Sequence, residues 1–306
     1  MTTTYGSSTS EDGGTDRLRE ILSTTDRAAW TAAALALVAG EGAGGDQHRA
    51  AQAVLDALGL TTEFLSGPGI DRTGVAAQAA APLLQTSALL TTGGNLWAGQ
   101  PDEAVLAQGR ASAQGAAAFA RFGLPVLSGL AELMSAPGAR MLDVGTGVAA
   151  LAVAYAEHFP ELTVVGIDVL PRVLAMAEQL VQASSVADRV VLREQDVGEL
   201  TDEETFALAW LPAPFVPEAA LRAGTPRVAR ALIPGGWLLV GHGKLGDDPI
   251  DEALTRFKTV SYGGTALSNA EAQSLLLDAG LVEVTTMPTP PGTPAITVGQ
   301  RAPVEG

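Results

Sequence analysis

The spacing of apolar residues divides the chain into a helical first part and a second part with a different pattern. Before residue 137, apolar side chains recur at helical intervals, as Leu18, Ile21 and Leu22 do. After residue 137, short apolar runs alternate with helical stretches, which is typical of a parallel sheet covered by helices on both faces. The runs that we predict to be strands are 141–142, 163–167, 190–192, 206–210, 237–240, 282–285 and 295–298.

The pattern predicts three segments. Residues 1–15 are rich in Thr, Ser and Gly and are expected to form a disordered tail. Residues 16–137 are expected to be a helical region, which acts either as a lid over the sheet or as a dimerisation surface. Residues 138–306 are expected to form the α/β domain.

Composition and charge exclude several classes of partner. The chain has 18 Lys and Arg against 34 Asp and Glu, a formal net charge of -16, so nucleic acid and anionic lipid surfaces are not expected as partners. With no cysteine, the chain has no disulfide, no thiolate zinc ligand and no thiol nucleophile, and we predict no metal site. The first residues lack the features of a secretion signal, and the longest apolar stretch is too short for a membrane span. A cytoplasmic protein is therefore expected.

A glycine turn follows the first predicted strand. Gly145 and Gly147 permit a tight turn and let backbone N–H groups approach a ligand at the start of the next helix. Together with Ala150 they also satisfy the relaxed dinucleotide fingerprint, so an NAD-dependent oxidoreductase stays open at this point. A plain connecting turn is the other alternative.

Carboxylates stand at the ends of three successive predicted strands. Asp143 would repel a pyrophosphate but attract an ammonium group. Asp168 lies about twenty residues after the glycines, where a carboxylate meets ribose hydroxyls. Asp196 is placed to accept a hydrogen bond from an adenine amine. Three such acids suit a neutral or cationic nucleoside, although each of them is alternatively a loop carboxylate or a helix cap.

These motifs resemble those of the class I S-adenosylmethionine (SAM)-dependent methyltransferases. Ala149 stands where the family usually has a third glycine, and Ala207 where it often has an acidic residue. The segment Leu211–Phe215 lacks the Asp/Asn-Pro-Pro-aromatic pattern of enzymes that methylate nucleobase or glutamine amino groups, so that class is not expected. The matching segments are Leu142–Gly147, Val165–Asp168, Leu232–Val240 and Leu275–Leu281.

The resemblance implies a Rossmann-like, seven-stranded, mostly parallel sheet whose last strand is antiparallel, preceded by an all-helical region. It also implies SAM as the cofactor, with the glycines and Asp143 at the methionine portion and Asp168 at the ribose. Asp196 and Val197 would then lie at the adenine. The residues expected to bind the cofactor are Asp143, Gly145, Thr146, Gly147, Asp168, Val169, Asp196, Val197 and Trp210.

A hydroxyl acceptor needs its proton removed, which usually requires a base of near-neutral pKa. Of the three histidines, His242 directly follows the fifth predicted strand, between Gly241 and Gly243. Ligands of open α/β folds bind at that edge of the sheet. We predict that His242 is the catalytic base or an anchor for the acceptor, with an ordinary loop histidine as the alternative.

The function expected from these features is methyl transfer to a small, largely apolar or aromatic metabolite. O-methylation is favoured, and C- or N-methylation stays open. The helical first part resembles that of small-molecule O-methyltransferases of secondary metabolism, which are often dimeric through this region, so a homodimer is one expected assembly. The alternatives are the NAD-dependent oxidoreductase and a non-catalytic SAM-binding or interaction module.

Overall fold

The computed structural model describes residues 9–40, 45–67, 70–92, 97–243, 248–289 and 294–304. The chain divides into two compact units between Leu84 and Gln85. Among the described helices, none combines the length and the apolar character that a membrane span requires.

The first unit is helical. Its core is small and includes the buried cluster of Ala34, Val38, Ala51, Leu55 and Leu65. The Arg72 guanidinium donates a hydrogen bond of 2.7 Å to the Val38 carbonyl. The described helices of this part are α1 (Thr9–Ala39), α2 (Asp46–Ala57), α3 (Thr62–Leu65) and α4 (Arg72–Thr92), the last of which crosses the division between the units.

Helix α1 begins earlier than the sequence pattern predicts. Residues 9–15 are helical, where the pattern predicts a disordered tail, and residues 1–8 lie outside the described residues. Extending an existing helix adds one backbone hydrogen bond for each residue that becomes ordered, so a helix continues past the end of its apolar periodicity.

The second unit contains the predicted sheet. Within the described residues the strand order is β3-β2-β1-β4-β5-β7-β6, with β1 to β5 parallel and β7 antiparallel to both neighbours. The predicted fold class is confirmed, and each predicted apolar run lies in a strand. The strands are β1 (Arg140–Val144), β2 (Thr163–Asp168), β3 (Val190–Glu194), β4 (Phe206–Pro212), β5 (Leu232–His242), β6 (Val282–Met287) and β7 (Ala295–Gln300).

Helices cover both faces of the sheet, which is why its central strands are apolar on both sides. Met141, Leu208 and Leu239 pack on one face, and Leu142 and Leu238 pack on the other. The first face is covered by α6, α7 and α8, and the second by α9 and α11. The helices of this unit are α5 (Asp102–Ala118), α6 (Leu130–Ser135), α7 (Ala150–His158), α8 (Pro171–Ala183), α9 (Glu218–Ala231), α10 (Pro249–Tyr262) and α11 (Asn269–Asp278).

Helix α5 packs closely on α7. A Cβ added at Gly109 would lie 2.2 Å from the Val148 side chain, and one added at Gly115 would lie 3.3 Å from Leu151. The glycines of α5 therefore allow a close approach to the helix that follows the glycine turn. As a result, the last part of the predicted helical region lies in the same compact unit as the sheet. The domain limits at residues 15 and 137 stay a prediction.

Candidate cofactor-binding site

The turn between β1 and α7 has a left-handed backbone at three positions. The φ angles are 62° at Gly145, 58° at Gly147 and 60° at Ala149. A Cβ added at either glycine would meet no protein atom closer than 3.8 Å, so the glycines leave open space at the turn. Ala149, in place of the family's third glycine, holds a conformation that costs a non-glycine residue about 1–2 kcal/mol.

Asp143, the next-to-last residue of β1, is a buried carboxylate. It is 2% exposed, and its Oδ2 accepts a hydrogen bond of 2.7 Å from the Thr146 hydroxyl. Burial raises the pKa of Asp143 from 3.8 to about 7, helped by repulsion from Asp168 and opposed by the Thr146 hydrogen bond. Among the described residues, no Lys, Arg or His forms an ion pair with it. A buried carboxylate without a cation is costly, so a cationic ligand fits this position.

Thr146 reaches Asp143 because Gly166, on β2, has no side chain. A Cβ added at Gly166 would lie 2.6 Å from the Thr146 hydroxyl oxygen. Gly166 is also the register partner of Asp143 in the neighbouring strand. A glycine inside a strand often marks a close approach of this kind. Thr146, predicted to bind the cofactor, thus orients the carboxylate that precedes the turn.

Asp168 connects the turn after β1 to the turn after β2. One carboxylate oxygen accepts from the Gly147 N–H at 2.9 Å, and the other from the Leu170 N–H at 3.0 Å. Burial raises the pKa of Asp168, and the backbone hydrogen bonds partly offset this rise. Each carboxylate oxygen has a second lone pair, so a ribose hydroxyl still finds an acceptor here.

The residues predicted to lie near the adenine differ from one another in burial and in their contacts. Asp196 caps the 3-10 turn Val197–Glu199, with its carboxylate accepting from the Gly198 N–H at 2.6 Å. Val197 is 5% exposed and packs against Gly224 of α9, where an added Cβ would lie 2.7 Å from it. Its side chain is therefore part of the core rather than a free adenine contact. Val169, in contrast, is 54% exposed.

Trp210 lies on the same face of the sheet as Asp143, since the two are register partners on β4 and β1. Its ring lies over Gly241 of β5, where an added Cβ would be 2.3 Å from the indole. Gly241 is thus required for the position of this ring. The structure places Asp143, Thr146, Gly147 and Asp168 together and Trp210 beside them.

His242 differs from the expectation. It is 0% exposed and projects to the face opposite Trp210, because it follows Gly241 in the strand. Its Nδ1 donates to the Gly243 carbonyl at 3.2 Å, which leaves Nε2 to accept from the Thr297 hydroxyl at 2.9 Å. Both ring nitrogens are therefore bound within the protein. This arrangement does not support the predicted role of His242 as base or acceptor anchor, since the ring neither faces Asp143 nor reaches solvent.

The hydrogen bonds around His242 continue through β6 to α11. Thr297 and Thr286 join their hydroxyls at 2.9 Å, and Gln273 donates to Thr286 at 3.1 Å. Gln273 donates to Thr286, so the Thr286 hydroxyl donates to Thr297 and the Thr297 hydroxyl donates to Nε2 of His242. At the other end, Nδ1 of His242 donates to the Gly243 carbonyl, which can only accept. The network therefore favours neutral His242.

We expect the His242→Gln variant to lose the part of the pH dependence of the unfolding free energy that His242 causes. Burial lowers the pKa of His242 below 6.5, opposed by backbone hydrogen bonds with Gly243 and Leu267. The native state therefore binds fewer protons than the unfolded state, and stability decreases as pH falls from 6.5 towards the folded pKa. Urea unfolding between pH 5 and pH 8 measures this. The exposed His158→Gln is the matched control, and an unchanged pH dependence in His242→Gln would contradict the assignment.

A polar and aromatic cluster lies in this unit, and its three aromatic residues are among those that the sequence offers as candidates to line an apolar pocket. Trp97, Phe215 and Tyr262 have ring centroids 4.9 to 5.7 Å apart. The Tyr262 hydroxyl donates to Gln85 at 2.7 Å, and Gln85 donates to Gln108 at 2.8 Å. The aromatic residues were individually visible in the sequence. Gln85 was not, because a single polar residue in a helical stretch carries no signal of burial.

Comparisons with known proteins identify the central part of the chain. Residues 141–236 match the family model described as a methyltransferase domain. The release factor glutamine methyltransferase of Rhodopirellula baltica is 31% identical over 111 residues, which cover 36% of this chain and 37% of that protein. The chain thus matches little more than a third of the length of the curated relatives.

Solved structures match over nearly the whole chain. Human N-acetylserotonin methyltransferase in complex with SAM has a TM-score of 0.62 at 16% identity, covering 98% of this chain and 100% of that one. Mitomycin 7-O-methyltransferase has a TM-score of 0.58 at 18% identity, with 95% and 99% covered. At these identities the likeness shows the fold. Residues 141–236 therefore match a methyltransferase domain, and the chain has the fold of these solved methyltransferase structures, as its motifs predict.

Proposed function

We propose that this chain is a SAM-dependent methyltransferase that acts on a small, largely apolar or aromatic metabolite. The observation that carries the proposal is the buried carboxylate of Asp143, without a cationic partner among the described residues, beside a glycine turn with open space. SAM carries an ammonium group, which suits the carboxylate, and supplies an activated methyl group. A pyrophosphate would be repelled there, which disfavours the NAD-dependent alternative.

The residues of the chain would bind and orient the cofactor. Asp143 would accept hydrogen bonds from the amino group, held in place by Thr146. The open backbone at Gly145 and Gly147 would face the methionine portion, and Asp168 the ribose. The remaining expected contacts, with Val169, the backbone of Val197, Asp196 and Trp210, complete this assignment.

The acceptor would be bound by the aromatic cluster of Trp97, Phe215 and Tyr262, which all lie in the second unit. O-methylation is favoured, because mitomycin 7-O-methyltransferase has this fold. Glutamine methylation, the activity in the curated relative's name, is less suited to the segment Leu211–Phe215, which lacks the required motif. With His242 turned away, holding the nucleophile in line would supply most of the rate.

We expect the chain to form a homodimer in the cytoplasm and to act in secondary metabolism. The support for the homodimer is a set of exposed apolar side chains on α1, namely Leu18, Ile21, Leu22 and Trp30. Analytical ultracentrifugation of the chain and of a Leu22→Glu variant would test the homodimer. A monomeric wild-type chain would contradict the homodimer, and two dimeric proteins with the same sedimentation coefficient would contradict an interface through α1.

Ligand binding tests the cofactor assignment directly. We expect SAM and its demethylated product to raise the melting temperature of the purified chain, since a ligand that binds only the native state stabilises it. NAD should produce no shift. SAM turnover would then be followed with panels of phenols, indoles and carboxylic acids. A shift with NAD and none with SAM would overturn the proposal.

We also expect no binding of nucleic acid, because the net charge of -16 repels phosphates. A gel-shift assay at low salt is the most permissive test, since electrostatic binding is strongest there. Retention of duplex DNA or of single-stranded RNA by the protein would contradict a small-molecule acceptor. A basic DNA-binding protein serves as the positive control.

A further inference from the structure

Gln100 has a buried side-chain oxygen to which no residue of the described ranges donates a hydrogen bond. The residue is 3% exposed, and its Oε1 accepts no hydrogen bond from the part of the chain that the structure describes. Within that part, it is the one buried side-chain oxygen or nitrogen for which this holds. Leaving such an atom unpaired costs about 1–3 kcal/mol, so it needs an explanation, such as a ligand that donates to it.

The turn that carries Gln100 is tied to the residues that follow Asp168. The Gln100 N–H donates to the Trp97 carbonyl at 3.1 Å, and its carbonyl accepts from the Arg172 guanidinium at 2.9 Å. Arg172 lies in the first turn of α8, four residues after Asp168, and also pairs with Asp102 at the start of α5. Gln100 is thus held beside the β2 end of the candidate site.

An apolar cluster connects the same turn to the glycine turn. Trp97 packs against a buried group formed by Val105, Val148, Ala150 and Val173. Val148 and Ala150 lie one and three residues after Gly147, and Val173 lies in α8, five residues after Asp168. The segment of Gln100 therefore packs on the residues that follow both turns of the candidate cofactor site. All of these residues belong to the second compact unit.

The chemistry of the Gln100 side-chain oxygen determines which ligand group can bind to it. An amide oxygen accepts hydrogen bonds and offers nothing to an anion, so its partner is a hydroxyl, an amine or an ammonium group. The ammonium of the cofactor has Asp143 as its expected partner. The β2 end, to which Arg172 ties Gln100, is where the ribose is expected. We propose that Gln100 is a further cofactor-binding residue, whose side-chain oxygen accepts a hydrogen bond from a ribose hydroxyl.

This inference rests on the proposed function and extends it to the helical segment before the sheet. The residues that we expected to bind the cofactor all lie after residue 142. Gln100 precedes the strands, in a stretch whose sequence carries no cofactor motif. The segment before the sheet would therefore contribute to the cofactor site itself and not only to the acceptor pocket.

Gln100→Leu separates this role from a structural one. Removing an unpaired buried oxygen should raise the melting temperature of the chain without ligand. The affinities for SAM and for adenosine, measured by calorimetry, should both fall by the same factor of about three to ten, the loss of one hydrogen bond. Gln100→Met, also without the oxygen, is the second variant, and Gln182→Leu, an exposed amide on α8, is the matched control.

A ligand without ribose hydroxyls completes the test. Replacing adenosine by 2′,3′-dideoxyadenosine should weaken binding more in the wild type than in Gln100→Leu. An equal loss in both proteins would overturn the ribose assignment, as would weaker SAM binding with unchanged adenosine binding. If the wild type binds SAM and the variants bind it equally well, the inference alone is wrong. If the wild type binds neither SAM nor adenosine, the proposed function fails and the inference fails with it.

Discussion

Asp143→Asn should make the ligand-free protein more stable at pH 8 and weaken its binding of SAM. The folded pKa of Asp143 is raised from 3.8 to about 7 by burial, so the native state holds this proton more tightly than the unfolded state. Its contribution to the unfolding free energy is therefore largest at low pH and decreases as pH rises from about 4 to 7. At about 1.36 kcal/mol per pH unit, the decrease reaches at most about 4 kcal/mol. Asn removes this loss and can still accept from Thr146.

Urea unfolding of both proteins at pH 4 and pH 8 measures this prediction. The variant should gain stability at pH 8 and differ little at pH 4. Asp188→Asn, an exposed carboxylate outside the site, serves as the control. Equal stability of wild type and variant at pH 8 would show that Asp143 is not an uncompensated buried charge.

Binding of a cation at Asp143 should also release a proton near neutral pH. The carboxylate that binds the ammonium must be ionised, so the SAM affinity of the wild type should fall as pH decreases below about 7. Calorimetry in two buffers of different ionisation enthalpy detects the released proton. Asp143→Asn should show weaker binding and less proton release, and equal release by both proteins would exclude Asp143 as its source.

Asp168→Ala is expected to weaken SAM binding about tenfold to a hundredfold. The carboxylate is the expected partner of the ribose, and a charged hydrogen bond contributes about 1.5–3 kcal/mol. The variant also loses the hydrogen bonds to the N–H groups of Gly147 and Leu170. Because these connect the two turns, some of the loss would come from a less ordered site.

Two measurements separate these contributions. Asp168→Asn retains an oxygen acceptor but not the charge, so its affinity should lie between those of the wild type and Asp168→Ala. Comparing adenosine with 2′,3′-dideoxyadenosine then reports the ribose contact alone. Unchanged SAM affinity in Asp168→Ala would rule out the assigned role.

The order of strands and helices was predictable because buried parallel strands and amphipathic helices have different periods of apolar residues. Each of the seven apolar runs after residue 137 lies in a strand. The positions of Asp143, Asp168 and Asp196 followed from the same reasoning, since a residue at the end of a strand lies at the edge where ligands bind. The pattern predicts a helical region from residue 16, whereas α1 begins at Thr9. No apolar periodicity marks the stretch from Thr9 to Thr15.

Tertiary structure decided which way individual side chains face. His242 stands at the predicted edge, yet alternation along β5 directs it away from Trp210, because the preceding Gly241 lies under that ring. Val197 follows Asp196 as expected, but packing against α9 places it in the core. The partners of Thr146, Gln85 and Gln100 come from residues distant in sequence, so no local pattern contains them. From the sequence alone, periodicity gives the α/β class and the order of the strands, and the motifs that resemble those of the methyltransferases give the class I fold and the expected cofactor site. The direction and hydrogen bonding of each side chain depend on its neighbours in space, which only the folded chain brings together.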